Sequence, residues 1–254
     1  GRIFRLKPRE NANVNKWWIS DEIRYGWKFV HSDDRLTQPK REQFGTMIDE
    51  DWPDAVRRAA DGLRAAVRDA GEGSVALIVS PMLTCEEAYE LARFVRGVDK
   101  DALLAVGPIP TEGEDKTLPG GYTVYAEKCP NARGVRRVLE TFGDVLAFDD
   151  AVAKIGDKKS PIQAALVTGN YPSSWTTKEL TGALKKKFVV VIDTLANDLT
   201  NACSILLPGA TWAEKSGTFE NANNRLQSFE QAIPVLEGAR AEGRIALDLQ
   251  AACG

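Results

Sequence analysis

The spacing of apolar positions changes period several times along the chain. After Pro53, the residues Ala55, Val56, Ala59, Ala60, Leu63, Ala66 and Val67 recur at helical spacing, with Arg57, Arg58, Arg64 and Arg68 on the other side. Pro53 suits the first position of that helix, and Gly71 and Gly73 close it. Residues 74–79 then form a continuous β-rich run, as a strand covered on both faces does. Thr84-Cys-Glu-Glu87 has capping-box spacing and opens a helix with Ala88, Leu91, Ala92 and Val95 on one side. Residues 102–106 read as a second strand. A long Gly/Pro-rich connection follows over residues 107–130, including Pro119-Gly-Gly121, and its length marks it as functional, disordered or an interface element.

The second half repeats the alternation. A helix is expected over residues 133–141, strands over 162–167 and 188–192, and a helix over 177–187 between them, with Thr176 and Glu179 at capping-box spacing. A weaker strand covers 204–207. Two short strands flank a turn at Asn223-Asn224, and a last helix covers 244–252. Residues 1–51 are polar, aromatic and irregular, with a short strand at 3–7 and a helical turn near 22–25. The alternation predicts an α/β fold: a mostly parallel sheet with helices on both faces, doubly wound and Rossmann-like, plus an irregular N-terminal arm and a late β-hairpin. Two segments are expected: an arm over 1–52 and an α/β domain over 53–254.

Composition removes several function classes. The 254 residues are 43% hydrophobic and 27% charged, ordinary for a globular protein, and the net charge of −3 gives no general attraction to nucleic acid or an anionic membrane. Apolar runs such as 75–79 and 188–192 are far below the roughly 20 residues needed to span a bilayer. The chain opens on Gly1-Arg2-Ile3-Phe4 without an initiator Met, which suggests a domain of a longer protein. Cys85, Cys129, Cys203 and Cys253 lie tens of residues apart, with no C-x-x-C pair, so neither a cluster nor a structural zinc site is expected from them.

Candidate chemistry concentrates at strand ends. In a doubly wound sheet, ligands sit outside the carboxyl ends of the strands. Three strands here finish on Ser80-Pro81, Gly169-Asn170 and Asp193-Thr194. Gly169 lets a backbone approach a ligand, Asn170 donates and accepts, and Asp193 could accept from a guanine or a ribose. The alternative is ordinary punctuation, with Gly and Asn turning the chain and Asp capping the next segment. Neither G-x-G-x-x-G nor a P-loop occurs. His31 is the only histidine, and no nucleophile-elbow motif accompanies it, so no catalytic residues are assigned. Glu86/Glu87, Asp149/Asp150 and Glu112/Glu114/Asp115 read as caps or solvated faces, and 185–187 as a lysine-rich last helical turn. Trp17-Trp18 either anchors a partner or fills the core.

Several of these stretches are familiar together. Residues 1–25, from Gly1-Arg-Ile-Phe through Asn15-Lys-Trp-Trp-Ile-Ser-Asp21, resemble the opening segment of the molybdopterin oxidoreductase superfamily, on the side of the large, G-type iron–sulfur subunit of respiratory complex I. Leu166-Val-Thr-Gly-Asn-Tyr-Pro172 resembles that superfamily's strand-end loop. Residues 202–208 and 212–227 resemble its late signature, and 107–133 its complex I branch. Cluster-bearing members place a cysteine where this chain has Ser20, and a hydroxyl is a poor iron ligand, so no metal ligand is expected here. Residues 1–52 then resemble the remnant of a [4Fe–4S] segment. The resemblance implies a cofactor-poor structural domain of a complex I-type NADH:quinone oxidoreductase subunit. It would be cytoplasmic and held at the inner membrane through neighbouring subunits, without direct membrane or nucleic-acid contact, with iron–sulfur clusters upstream in the parent protein. The alternative it leaves open is the pterin-dinucleotide-binding part of a formate dehydrogenase-like molybdenum or tungsten enzyme. Gly169, Asn170 and Asp193 would then line the molybdopterin nucleotide.

Overall fold

Continuous apolar runs need cover on both faces, and a parallel sheet between helix layers supplies it. A computed structural model describes residues 1–253; Gly254, the last residue of the expected α/β segment, lies outside the described residues. The described residues form seven α-helices and twelve strands. In chain order these are α1 (Asp21–Tyr25), β1 (Lys40–Gln43), β2 (Thr46–Asp49), α2 (Trp52–Ala70), β3 (Val75–Val79), α3 (Cys85–Val98), β4 (Leu103–Val106), β5 (Lys116–Thr117) and β6 (Thr123–Val124). There follow α4 (Ala132–Glu140), β7 (Val145–Leu146), α5 (Phe148–Gly156), β8 (Ala164–Thr168), α6 (Lys178–Leu184), β9 (Phe188–Asp193), β10 (Ile205–Pro208), β11 (Gly217–Glu220), β12 (Leu226–Phe229) and α7 (Glu242–Ala252).

The main sheet has eight strands in the order β2-β1-β10-β9-β8-β3-β4-β7. From β10 to β7 every pair is parallel, and only β1, antiparallel to both β10 and β2, runs against the rest. Taken in chain order, the six parallel strands are arranged 3-2-1-4-5-6, the doubly wound Rossmann order, and the direction of winding reverses between β3 and β8. One face buries Leu63 of α2, Leu91 of α3, Leu139 of α4 and Leu249 of α7 against Leu77, Leu166 and Ile192. The other face buries Ile155 of α5 and Leu180 of α6 against Ile78, Val167 and Val191. The expected α/β class and the late hairpin, β11–β12, are both present. Asn224 takes a φ of 59° at its turn.

Local structure departs from expectation in a few places. Residues 3–7 form no strand: the open edge of β10 is taken by β1, and the Ile3 amide donates instead to His31 Nε2 at 2.8 Å. Residues 40–49, expected to be irregular, form the β1–β2 hairpin on that edge. The helix expected over 177–187 stops at Leu184, and its cap is Thr177, whose side chain accepts from the Leu180 amide, rather than Thr176. The lysines therefore lie beyond the helix. Lys186 has a φ of 67°, and Lys187 donates to the Ile162 carbonyl at 2.7 Å. The cysteines are free, but only Cys203 is buried and the other three are half-buried.

Candidate functional site

The switch point places the carboxyl ends of β3 and β8 side by side, with β9 next to β8. Ser80, Gly169-Asn170 and Asp193 therefore share one sheet edge, where a doubly wound fold holds its ligands. The Ser80 amide donates to Thr168 Oγ1 at 2.8 Å, tying the two central strand ends together.

Asp193 is almost wholly buried, and its carboxyl is occupied by its own chain. Oδ1 accepts from the amides of Asn170 at 2.8 Å and Thr194 at 2.7 Å. Oδ2 accepts from Trp175 Nε1 at 2.9 Å and Asn197 Nδ2 at 2.7 Å. Two donors on each oxygen fill the four acceptor positions of a carboxylate. Burial pushes the Asp193 pKa up, and these donors, which favour the ionised form, oppose it. Gly169 faces the same carboxyl: a Cβ there would lie 2.2 Å from it. The glycine thus makes room for an internal neighbour. Asn170 has a φ of 74° and spends both amide protons, on the Ala210 carbonyl at 2.7 Å and Glu242 Oε1 at 2.8 Å.

Aromatic side chains fill the remaining space. Tyr171 is 2% exposed, stacks on Trp175 with ring centroids 5.1 Å apart, and donates its hydroxyl to the Pro108 carbonyl at 2.7 Å. A Cβ at Gly107 would lie 2.9 Å from that hydroxyl. The end of β9 is also covered by the N-terminal arm, through Leu36 N–H to the Thr194 carbonyl at 3.0 Å. Arg35 is buried behind it and pairs with Glu214 at 2.8 Å.

Beside this edge lies a charged cluster that sequence reasoning missed. Lys215 Nζ sits 2.8 Å from Glu87 Oε1 and 2.7 Å from Glu242 Oε2, and all three side chains are buried. Glu87 comes from the first turn of α3, where its other oxygen accepts from the Thr84 amide at 3.0 Å, completing the expected capping box. Glu242 opens α7. Burial pushes Glu242 up to about 8, with Lys215 opposing and the like charge of Glu87 adding to the rise. Burial works upward on Glu87 too, but the Lys215 ammonium and the Thr84 amide hold it below the ordinary carboxyl range. Against burial, the two carboxyls hold Lys215 above its usual range. The only signal for this cluster in the sequence is Lys215 itself, within the late signature over residues 212–227. A glutamate in a helix's first turn reads as a cap or dipole partner.

Ser20, at the expected cluster-cysteine position, caps α1 by accepting from the Ile23 amide at 3.5 Å. Among the described residues, no group of three or more His, Cys, Asp or Glu side chains is placed to hold a metal ion.

The sequence model described as molybdopterin oxidoreductase matches residues 136–251, which run from α4 through α7 and include Asn170, Asp193, Lys215 and Glu242. Over those residues the chain is similar to the molybdopterin oxidoreductase family. Over 97 residues, 38% of the chain, it is 33% identical to the G subunit of NADH-quinone oxidoreductase from Streptomyces coelicolor. Over 96 residues it is 31% identical to the formate dehydrogenase-like protein YrhE of Bacillus subtilis. The aligned segments span only 11% and 10% of those relatives' lengths. The fold of this chain is similar to that of acetylene hydratase from Pelobacter acetylenicus. The TM-score is 0.64 at 9% identity, covering 92% of this chain and 63% of that one. The pterin dinucleotide the family implies does not fit the strand-end groups as they stand, since Asp193 has no acceptor position left and Asn170 no amide proton left.

Proposed function

We propose that this chain is a cofactor-poor structural domain of a complex I-type NADH:quinone oxidoreductase subunit, supporting electron transfer carried by iron–sulfur clusters elsewhere in the parent protein. The observation that carries the reading is the saturated Asp193 carboxyl. A family domain whose strand-end acceptor is fully spent on its own backbone and side chains has turned its ligand edge into packing. The relation to a G-type subunit supplies the complex, and Ser20 in place of a cluster cysteine agrees with a domain that carries no centre itself. Its partners are then the other subunits of that complex. It lies on the cytoplasmic side and is peripheral to the membrane, and no helix among the described residues is long and apolar enough to cross one.

The test is elemental and pterin analysis of the protein purified gently from its host, together with its co-purifying subunits. Sub-stoichiometric pterin, molybdenum and tungsten, alongside subunits bearing iron–sulfur clusters, are expected. In the same preparation Asp193→Ala leaves four donors without their acceptor and lowers folding stability by about 3 kcal/mol or more, without changing pterin content. One pterin dinucleotide per chain, lost in the Asp193 variant, would establish the second reading instead. That reading is the nucleotide-binding part of a formate dehydrogenase-like enzyme, motivated by the relation to YrhE. It requires Asp193 and Asn170 to exchange internal partners for the nucleotide.

A further inference from the structure

Charge is unevenly distributed along this chain. Residues 1–28 hold seven cations, Arg2, Arg5, Lys7, Arg9, Lys16, Arg24 and Lys28, against three acids, while the whole chain nets −3. Residues 1–28, the leading part of the arm, are thus at +4 and the remaining body at −7. Ion pairing divides along the same line. Among the described residues none of those seven cations has a carboxylate within 4 Å, whereas fourteen of the twenty-six cations in the body do. Arg2, Arg5, Lys7, Arg9 and Lys28 are exposed.

The same segment carries four of the nine exposed large apolar side chains, although it is about a tenth of the chain. These are Phe4 at 80% exposure, Trp17 at 60%, Ile23 at 54% and Tyr25 at 59%. The arm is nevertheless held in place. Trp18 stacks on Tyr122 at 6.4 Å, Lys128 pairs with Glu22 at 3.1 Å, and Lys16 donates to the Gly120 carbonyl. Exposed aromatics and unpaired arginines within one anchored segment are the composition of a protein–protein hot spot, and the unspent positive charge specifies the other side.

We infer that the N-terminal arm, Phe4, Trp17 and Tyr25 with Arg2, Arg5 and Arg9, is a docking surface for an acidic patch on a different polypeptide. The surface rests on the proposed role of the chain as one part of an assembly, and it adds which face docks and what charge it meets. An extended polyanion is disfavoured because the body at −7 repels nucleic acid or an anionic bilayer, whereas a local acidic patch meets the arm alone. A bilayer is disfavoured further because the only α-helix in the arm, α1, has five residues and cannot lay a continuous apolar face into a membrane.

The experiment places a benzophenone-bearing residue at position 17, and separately at position 4, of the full chain in its host, followed by irradiation and mapping of the cross-linked peptides. Cross-links to Asp/Glu-rich segments of another polypeptide are expected. Their yield should fall at least tenfold in an Arg2→Glu, Arg5→Glu, Arg9→Glu variant whose melting temperature is unchanged. Cross-links confined to a second copy of this chain, to nucleic acid or to lipid would overturn the inference. So would an absence of cross-links or a yield indifferent to the charge reversal. The two ideas fail separately. Co-purification with cluster-bearing subunits that survives the reversal removes this surface and leaves the proposed role, whereas a wild-type chain that never co-purifies with them removes the role.

Discussion

Lys215 can neutralise only one of the two carboxyls that touch it. With Glu87 held ionised by the lysine and by the Thr84 amide, the residual proton belongs on Glu242, whose pKa burial pushes to about 8. Between the ordinary carboxyl range and that value, the folded chain keeps a proton that the unfolded chain has released. Stability therefore falls as pH rises through that window and levels off above it. Asp193, also pushed up by burial, adds in the same sense, while His31, which burial holds below its usual value, works oppositely in its own range. A difference measurement isolates the cluster. Melting curves from pH 5 to pH 9 should show wild type losing at least about 3 °C more than Glu242→Gln, the size that roughly 1 kcal/mol has in a chain this long. Parallel profiles would show that the cluster holds no such proton.

Elements are joined here at a few backbone crossings, and the tightest involves Gly238. Its φ is +86°, and a Cβ there would lie 1.8 Å from the Thr37 carbonyl oxygen. Its own carbonyl accepts from Trp52 Nε1 at 2.9 Å, and Arg240 lies 4.2 Å over the Trp52 ring. Gly238→Ala therefore combines a left-handed backbone with a collision against main chain. A loss of about 2–4 kcal/mol is expected, read as a lower urea midpoint at unchanged m-value. How much of this architecture the sequence discloses depends on burial. β3, β8 and β9 are apolar at nearly every position because both faces are covered, so the run alone reveals them. β1, reading Lys-Arg-Glu-Gln, lies one strand in from the sheet edge, and its polar residues carry no such signal. β7 has two residues, and α5 begins two residues later at Phe148-Asp-Asp, so neither offers enough periods to recognise. Thr176 and Thr177 are adjacent potential caps, and only the fold of the preceding loop selects the second. At the candidate site, the strand-end residues are legible from topology. Their partners Trp175, Asn197 and Glu242 are not, because they arrive from four to seventy-two positions away.

For the molecule as a whole, protection should follow sheet position. Amides of β8, β3 and β9, flanked by paired strands and by helices on both faces, should exchange hydrogen most slowly, and those of residues 1–20 fastest. Hydrogen–deuterium exchange resolved by peptide checks that order, and an arm as slow as β8 in the isolated chain would mean that it is packed, not presented. The β1–β2 hairpin has a further consequence for this gradient. By pairing with β10 it occupies a row of main-chain donors and acceptors that would otherwise face outward beside an apolar strand. A fragment begun at Pro53 would leave that seam bare and tend to assemble strand to strand with its own copies. Residues 40–49 thus act as a selvedge, keeping the woven sheet from fraying into fibres.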